Sequence, residues 1–239
     1  MKKHLPNLVS SLNLLTGCIS IALAFYDVEL ASYLVMAAMI LDFLDGALAR
    51  WLNVRSELGK QLDSLADLVS FGLAPAMILY IVFLKSWNLP GISISDIYII
   101  PLTAFLIPVF SALRLARFNI DNSGKDIFRG LPTPANALLI ISIPLIIRQY
   151  GESSQITHFL LDTYTLIALI LLSCFLLVSG VHLFSLKFQN FRWGENKIRH
   201  IFLLTAVVLF AVLRFASIPL IIALYIILSL IFVKREGNA

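Results

Sequence analysis

Eight apolar stretches, most of them long enough to cross a membrane, follow one another along this chain of 239 residues. A hydrocarbon core of about 30 Å requires roughly 17–25 apolar residues in a helix. Because a backbone surrounded by lipid must satisfy its hydrogen bonds internally, such stretches fold as helices. We therefore predict an all-α, polytopic membrane helix bundle of about eight transmembrane helices, over residues 8–26, 30–51, 58–85, 96–118, 134–149, 159–185, 198–213 and 216–233.

The composition excludes a soluble globular domain. Only 13% of the residues are charged and 59% are hydrophobic, whereas soluble domains carry about 25% charged residues. So few charges could not cover the surface of a soluble protein of this length. The first apolar stretch follows two lysines but lacks a small-x-small cleavage site, so we expect no cleavable signal peptide.

The positive charges predict the orientation of the helices. A cytoplasmic N-terminus places 15 of the 18 Lys and Arg residues in cytoplasmic segments, and the exceptions are Lys85, Arg148 and Arg214. This is the asymmetry that the positive-inside rule describes. Because membrane topology accounts for the basic charge, we expect membrane lipids and no nucleic acid as partners. The predicted location is the cytoplasmic membrane of a prokaryote.

The chain shows no internal repeat and no low-complexity segment. We predict one membrane domain over residues 1–239, with the catalytic helices at about 6–186. An additional C-terminal helix pair at about 198–233 carries little beyond Arg214 that is ionisable.

Four aspartates stand out because they lie beside apolar sequence in the second and third predicted helices. Asp42 and Asp45 are three residues apart, and Asp63 and Asp67 are four apart, so each pair shares a helix face. A charged group at membrane depth costs about 2.5–3.5 kcal/mol on insertion scales and usually serves a function. Since a short turn joins the two helices, we expect the four carboxylates to meet.

Clustered carboxylates need a counter-charge, because like charges at short distance oppose ionisation. Oxygen ligands without His or Cys nearby favour Mg²⁺ or Mn²⁺ over Zn²⁺, and a pair of such ions is a known solution for displacement at phosphorus. Two divalent cations, Mg²⁺ or Mn²⁺, are therefore the predicted cofactors. Taken alone, the residues leave a pathway for cation transport open as an alternative.

The complete pattern is Asp42-x-x-Asp45-Gly46-x-x-Ala49-Arg50-x(8)-Gly59-x(3)-Asp63-x(3)-Asp67. It resembles the signature of the CDP-alcohol phosphatidyltransferase family at all eight defined positions. The resemblance implies a two-metal site near the cytoplasmic surface, a CDP-lipid donor such as CDP-diacylglycerol, CMP as the leaving group and a homodimer.

The same resemblance implies a role for each residue of the pattern. Asp42, Asp45 and Asp63 would be metal ligands, and Asp67 would be both a ligand and the general base. The CDP-lipid would be bound by the small and basic residues of the pattern together with an asparagine of the first helix, which are Asn13, Gly46, Ala49, Arg50 and Gly59.

Two further segments bear on the acceptor alcohol. Residues 111–119 and 129–135 resemble the branch of the family that uses L-serine. Arg114 and Arg117 are three residues apart on one helix face and could hold a carboxylate, and Thr133 before Pro134 reads as a helix N-cap. We expect Arg114, Arg117, Asn119 and Thr133 to bind the serine.

Two alternatives to this acceptor site remain open. The arginines could be topology charges that meet only lipid headgroups. The acceptor could also be glycerol-3-phosphate or inositol phosphate, as in sister enzymes of the family, although a phosphate would call for a denser basic pocket.

Overall fold

The computed structural model describes residues 5–54, 56–94, 97–120, 127–184 and 197–236. The α-helices in these ranges are α1 (Leu5–Ala24), α2 (Val28–Trp51), α3 (Glu57–Asp67), α4 (Ala74–Leu84), α5 (Leu106–Ile120), α6 (Thr133–Tyr150), α7 (Gln155–Leu160), α8 (Thr163–Val178), α9 (Lys197–Leu213) and α10 (Ser217–Glu236). A π-helical segment, Leu68–Leu73, joins α3 to α4, and 3₁₀ turns at Ile100–Phe105 and Arg214–Ala216 precede α5 and α10.

Two short antiparallel strand pairs complete the described structure. Strand β1 (Ser93–Ile94) pairs with β2 (Ile97–Tyr98). Strand β3 (Ile127–Arg129) pairs with β4 (His182–Phe184), which ties the connection before α6 to the segment after α8.

The predicted all-α polytopic membrane bundle is confirmed. Each of the eight apolar stretches contains a helical segment within the described residues. The prediction for the sixth, residues 159–185, is too long, because its helix ends at Val178 and His182–Phe184 pairs with β3 instead. Five helical stretches there are long and apolar enough to cross a membrane: Leu5–Ala24, Val28–Trp51, Glu57–Phe83, Ile100–Ile120 and Arg199–Ile231. The last of them covers most of both C-terminal stretches of the prediction, and Thr163–Val178 is a shorter apolar helix. The N-terminal lysines behind the predicted orientation, Lys2 and Lys3, lie outside the described residues.

Side-chain caps explain where several helices begin. The Asp27 carboxylate accepts hydrogen bonds from the backbone N–H groups of Glu29 and Leu30, both at 2.9 Å. Ser56 Oγ accepts from the N–H of Gly59 at 3.0 Å and so starts α3. Such caps satisfy donors that have no partner inside the helix.

The predicted cap of the fifth helix is wrong by one residue. Helix α6 begins at Thr133 itself, after Pro132, and Thr133 makes no capping hydrogen bond. The physical reason lies in a neighbouring helix, because Thr133 Oγ1 accepts a hydrogen bond from Arg114 Nη1 at 3.0 Å.

Small residues allow α1 to lie close against the π-helical segment. Gly17 faces Ser70, and a Cβ atom placed on Gly17 would lie 2.8 Å from Ser70 Cα. The Ser70 hydroxyl donates to the carbonyl oxygen of Asn13 at 2.9 Å. Further along, Ser20 Oγ donates to the carbonyl oxygen of Ala31 at 2.8 Å, so α1 and α2 run antiparallel and in close contact.

The C-terminal helices are fastened to α6 by one glutamine. Gln149 Nε2 donates to the carbonyl oxygen of Leu213, and its Oε1 accepts from the N–H of Phe215, both at 3.1 Å. Leu139 of α6 and Tyr225 of α10 lie in one buried apolar cluster. Helix α10 therefore packs directly on the helix that carries Thr133.

Replacing Gly17 with alanine should destabilise the protein. Alanine favours helices over glycine by about 1 kcal/mol, but its methyl group would overlap the backbone of Ser70. Overpacking of this kind typically costs about 1–3 kcal/mol. We expect the midpoint of thermal unfolding in detergent to fall for Gly17→Ala.

Gly46→Ala is the matched control for that prediction. The nearest atom to a Cβ on Gly46 is Arg50 Nη1 at 3.6 Å, which is an ordinary contact. This variant should unfold at the wild-type temperature or above it. An unchanged or raised midpoint for Gly17→Ala would contradict the close packing of α1 on the π-helical segment.

Candidate active site

Three carboxylates meet where α2 and α3 face each other. Asp42 projects from α2, and Asp63 and Asp67 project from successive turns of α3. One carboxylate oxygen from each of the three lies within 4.8 Å of the others, which is close enough to hold a common metal ion. The i,i+4 spacing predicted that Asp63 and Asp67 share one helix face. The structure agrees, since both side chains point to the same partner helix.

The fourth aspartate of the pattern is placed differently. Asp45 is buried, with 5% of its surface exposed, and its Oδ2 accepts a hydrogen bond from Ser10 Oγ of α1 at 2.6 Å. Its carboxylate is not part of the three-aspartate cluster, although it lines the adjoining cavity with Asp63. The structure thus brings three of the four carboxylates within 4.8 Å of one another, and Asp45 is near enough to Asp42 and Asp63 for their charges to interact.

The three-aspartate cluster fits a hard cation. Asp63 Oδ1 and Asp67 Oδ1 are buried and have no hydrogen-bond partner within the described structure. Buried polar atoms are rarely left without a partner, because their desolvation is costly. Oxygen-only ligands of negative charge are what Mg²⁺ and Mn²⁺ prefer. The cluster could therefore bind a divalent ion through Asp42, Asp63 and Asp67.

A cavity of about 470 Å³ opens beside the carboxylates, between the first turns of α1 and α3 and the end of α2. Three small residues of the motif, Gly46, Ala49 and Gly59, lie in its wall. A Cβ on Gly59 would come within 2.9 Å of both Asn7 Oδ1 and Ser56 Oγ, so a larger residue there would have to displace those two side chains. The cavity is further lined by Pro6, Asn7, Ser10, Asp45, Val54, Ser56, Glu57, Lys60 and Asp63.

Two residues that were predicted to bind the CDP-lipid do not line this cavity. Arg50 is exposed at the end of α2, with its Nη1 next to Gly46. Asn13 is fully buried at the contact between α1 and the π-helical segment, and neither atom of its side-chain amide has a partner among the described residues. Their roles in binding stay predictions.

The four residues predicted to bind the acceptor do not all lie together. Arg114 and Thr133 are hydrogen-bonded to each other, and the Arg114 guanidinium is near enough to Asp67 for their charges to interact. Arg117 is exposed in the last turn of α5. Asn119 links α5 to α3, since its Nδ2 donates to Ser64 Oγ at 2.8 Å and its backbone carbonyl oxygen accepts from Lys60 Nζ at 3.1 Å. The roles of these residues in binding the acceptor stay predictions.

Sequence reasoning missed several residues that the structure brings to the site. Ser10, Asn7 and Lys60 border the cavity, and Tyr225 of α10 interacts electrostatically with Arg114. A signal for Ser10 exists in the sequence, because it belongs to a buried stripe of mostly small residues on α1 at helical spacing: Pro6, Ser10, Asn13, Gly17, Ser20 and Ala24. Tyr225 offered no comparable signal, since it lies within a uniformly apolar helix.

Comparison with known proteins places this geometry in a family. Residues 3–178 match the CDP-alcohol phosphatidyltransferase family. The chain belongs to this family. The match includes all the predicted site residues, whereas α9 and α10 lie beyond it.

Several relatives carry the name CDP-diacylglycerol–serine O-phosphatidyltransferase. The Helicobacter pylori protein is 38% identical over 148 residues, which make up 61% of this chain and 59% of that protein. The Bacillus subtilis protein is 36% identical over 139 residues, 58% of this chain and 73% of the relative. The Methanocaldococcus jannaschii protein is 37% identical over 142 residues, 59% of this chain and 61% of the relative. The matched part thus spans about three fifths of the first and third of these proteins.

Replacing Asp63 with asparagine should leave the protein at least as stable as the wild type without metal, but less stable than the wild type when metal is bound. Without metal, losing one of three crowded negative charges relieves repulsion, so we expect the variant to unfold at or above the wild-type temperature. With Mn²⁺ at 100 times its Kd, the wild type should gain about 2.7 kcal/mol from binding, and the variant should gain little. Thermal unfolding in detergent, with and without Mn²⁺, measures both effects.

Glu152→Gln is the matched control, because Glu152 is exposed in the turn after α6. It should respond to Mn²⁺ as the wild type does. Equal stabilisation of Asp63→Asn and the wild type by Mn²⁺ would mean that the cluster does not bind the ion.

Proposed function

We propose that this protein transfers the phosphatidyl group of CDP-diacylglycerol to the hydroxyl of L-serine, forming phosphatidylserine and CMP. The observation that carries the proposal is the meeting of Asp42, Asp63 and Asp67 at the edge of a large cavity, in a chain of the CDP-alcohol phosphatidyltransferase family. The names of the relatives support serine as the acceptor.

The proposed cofactors are two divalent cations, Mg²⁺ or Mn²⁺, held by Asp42, Asp63 and Asp67 with Asp45 beside them. When bound, such ions neutralise the pyrophosphate and stabilise the charge that develops on the departing CMP. The buried, unpartnered oxygens of Asp63 and Asp67 support this assignment. Ser10 would orient the Asp45 carboxylate through its 2.6 Å hydrogen bond.

The CDP part of the lipid is proposed to occupy the cavity at the first turns of α1 and α3. Gly46, Ala49 and Gly59 leave part of its wall without bulky side chains, so a nucleotide could approach the backbone closely there. Lys60 at the rim and Arg50 near Gly46 would supply positive charge for the two phosphates. The lipid tails would extend into the bilayer beside the bundle.

The proposed chemical step is a direct displacement at phosphorus. The serine hydroxyl oxygen attacks the phosphatidyl phosphorus, and the bond from that phosphorus to the oxygen of CMP breaks. CMP leaves with the bonding electron pair, and the hydroxyl proton passes to Asp67. A hydroxyl needs such a base because it is a poor nucleophile until it is deprotonated. Asp67 is suited to this role because it lies between the cavity side of the cluster and Arg114.

The charges at the two ends of the bundle support an active site that faces the cytoplasm. Contacts of Ser10 with Asp45, Lys60 with Asn119 and Arg114 with Thr133 place the N-terminal ends of α1, α3 and α6 together with the C-terminal ends of α2 and α5. Among the residues whose side chains are described, those of Arg50, Lys60, Arg114 and Arg117 bring positive charge to this end. By the positive-inside rule this end is cytoplasmic. A bacterial inner membrane, a homodimer and a single domain with an added C-terminal helix pair complete the proposal.

Release of CMP by the purified protein tests the proposed reaction. CDP-diacylglycerol and Mn²⁺ or Mg²⁺ would be supplied with serine, glycerol-3-phosphate or inositol phosphate in separate assays. We expect CMP release with serine, reduced in Asp67→Asn by about 10²–10⁴-fold as is typical for loss of a general base. The Glu152→Gln variant should keep the wild-type rate.

Two other results of the CMP-release assay would contradict parts of the proposal. CMP release only with glycerol-3-phosphate or inositol phosphate would keep the site but overturn serine as the acceptor. The absence of CMP release with every acceptor would overturn the enzyme and favour a cation pathway through the aspartates.

A further inference from the structure

A second group of buried polar side chains lies between α5 and α6, next to Asp67. Its members are Ser111 and Arg114 of α5 and Thr133 and Asn136 of α6. Ser111, Thr133 and Asn136 are all fully buried. Such a group in the interior of a membrane bundle needs an explanation, because polar side chains there are costly unless they find partners.

The four residues lie on the faces of α5 and α6 that are turned toward each other. Arg114 and Thr133 are joined by a hydrogen bond of 3.0 Å, and two turns deeper Ile107 and Ile140 lie in the same buried apolar cluster. Helices α5 and α6 therefore run antiparallel along these contacts. Residues three and seven positions apart share a helix face, so Ser111 and Asn136 lie between those two levels.

The same level of the bundle faces the π-helical segment that follows Asp67. The Cβ atom of Ser111 is 3.3 Å from the position of a Cβ on Gly72. Ala137, which follows Asn136, lies in one apolar cluster with Phe71. The polar side chains of Ser111 and Asn136 thus lie at a three-helix junction within two turns of Asp67.

Several polar atoms at this junction have no partner within the described structure. They are Ser111 Oγ, Arg114 Nε and both side-chain amide atoms of Asn136, all of them buried. At least 90% of buried polar groups in folded proteins are hydrogen-bonded. Four unpartnered atoms at one junction point to a polar ligand that supplies their missing hydrogen-bond partners.

We infer that Ser111, Arg114 and Asn136 bind the amino and carboxylate groups of the acceptor, which makes the acceptor a small zwitterionic amino acid. This inference rests on the proposed transfer reaction and specifies its acceptor site. Arg114 Nε and Asn136 Nδ2 are donors for a carboxylate, and Asn136 Oδ1 and Ser111 Oγ are acceptors for an ammonium group. Thr133 positions Arg114 through their hydrogen bond.

The mixture of donors and acceptors distinguishes this class of acceptor from a phosphorylated one. A phosphate dianion presents acceptors only, so Asn136 Oδ1 would gain no partner from it, whereas the Ser111 hydroxyl could donate to a phosphate or to a carboxylate. The one guanidinium that the described structure places at this junction, that of Arg114, matches one carboxylate. Since Arg114 also interacts with Asp67, an amino acid held here would present its side-chain hydroxyl toward the proposed base.

The Asn136→Leu variant tests the inference without undermining the fold. Replacing a buried, unpartnered amide by an apolar side chain of similar size is nearly neutral or stabilising, so the melting temperature should not fall. A hydrogen bond to a charged group contributes enough that we expect the KM for L-serine to rise by about 10- to 100-fold. The KM for CDP-diacylglycerol should stay within about twofold of the wild type.

A control variant on the same helix and a binding measurement complete the test. Ser142→Ala removes a buried hydroxyl of α6 that bonds to the carbonyl oxygen of Leu139 at 2.6 Å, away from the junction, and should leave both KM values unchanged. Equilibrium dialysis of labelled L-serine, with the protein in detergent with CDP and Mn²⁺, should show binding to the wild type and Ser142→Ala but weak binding to Asn136→Leu.

Three results would overturn the inference. An unchanged serine KM and unchanged serine binding in Asn136→Leu would mean that the junction only encloses water. Equal weakening of both substrates together with a lower melting temperature would assign Asn136 a structural role. The absence of serine binding to the wild type would exclude the site altogether. By contrast, serine binding that depends on Asn136 in a protein that releases no CMP would leave this site intact and refute only the proposed reaction.

Discussion

Mutual repulsion of carboxylates inside a membrane bundle is the constraint on which the rest of this structure depends. Asp42, Asp63 and Asp67 approach within 4.8 Å of one another, in surroundings that screen charge poorly. Such an arrangement is stabilised when the helices are held rigidly and when cations or protons bind to the carboxylates. The small residues of α1, above all Gly17 against Ser70, and the caps of α2 and α3 provide the rigid frame.

Asp67 separates two chemically different regions of the site. On one side lies the cavity lined by Gly46, Ala49 and Gly59, where the backbone is accessible and a nucleotide would fit. On the other side lies the polar junction of α5 and α6, with a single arginine and several unpartnered donors and acceptors. The π-helical segment after Asp67 contacts both α1 and α5. Irregular helix of this kind is frequent at functional sites, and here it follows directly after Asp67.

Much of the fold and the centre of the site could be predicted from the sequence, because both depend on local spacing. Apolar length located the helices, and i,i+3 and i,i+4 spacing placed the aspartates on common faces. The position of Asp45 could not be predicted, since it depends on Ser10 of another helix. Asn119 and Asn136 show the same limit, because which face of α5 meets α3 or α6 is decided by tertiary packing. The cytoplasmic orientation, the homodimer and the single domain stay predictions.

Locating the metal directly is the measurement that bears most on this account. Crystals grown with Mn²⁺ and CDP would be measured at a wavelength where manganese scatters anomalously. We expect anomalous peaks among the carboxylates of Asp42, Asp63 and Asp67, with a second ion toward Asp45, and their loss in Asp63→Asn. Manganese bound elsewhere in the bundle, with no peak among these carboxylates, would contradict it.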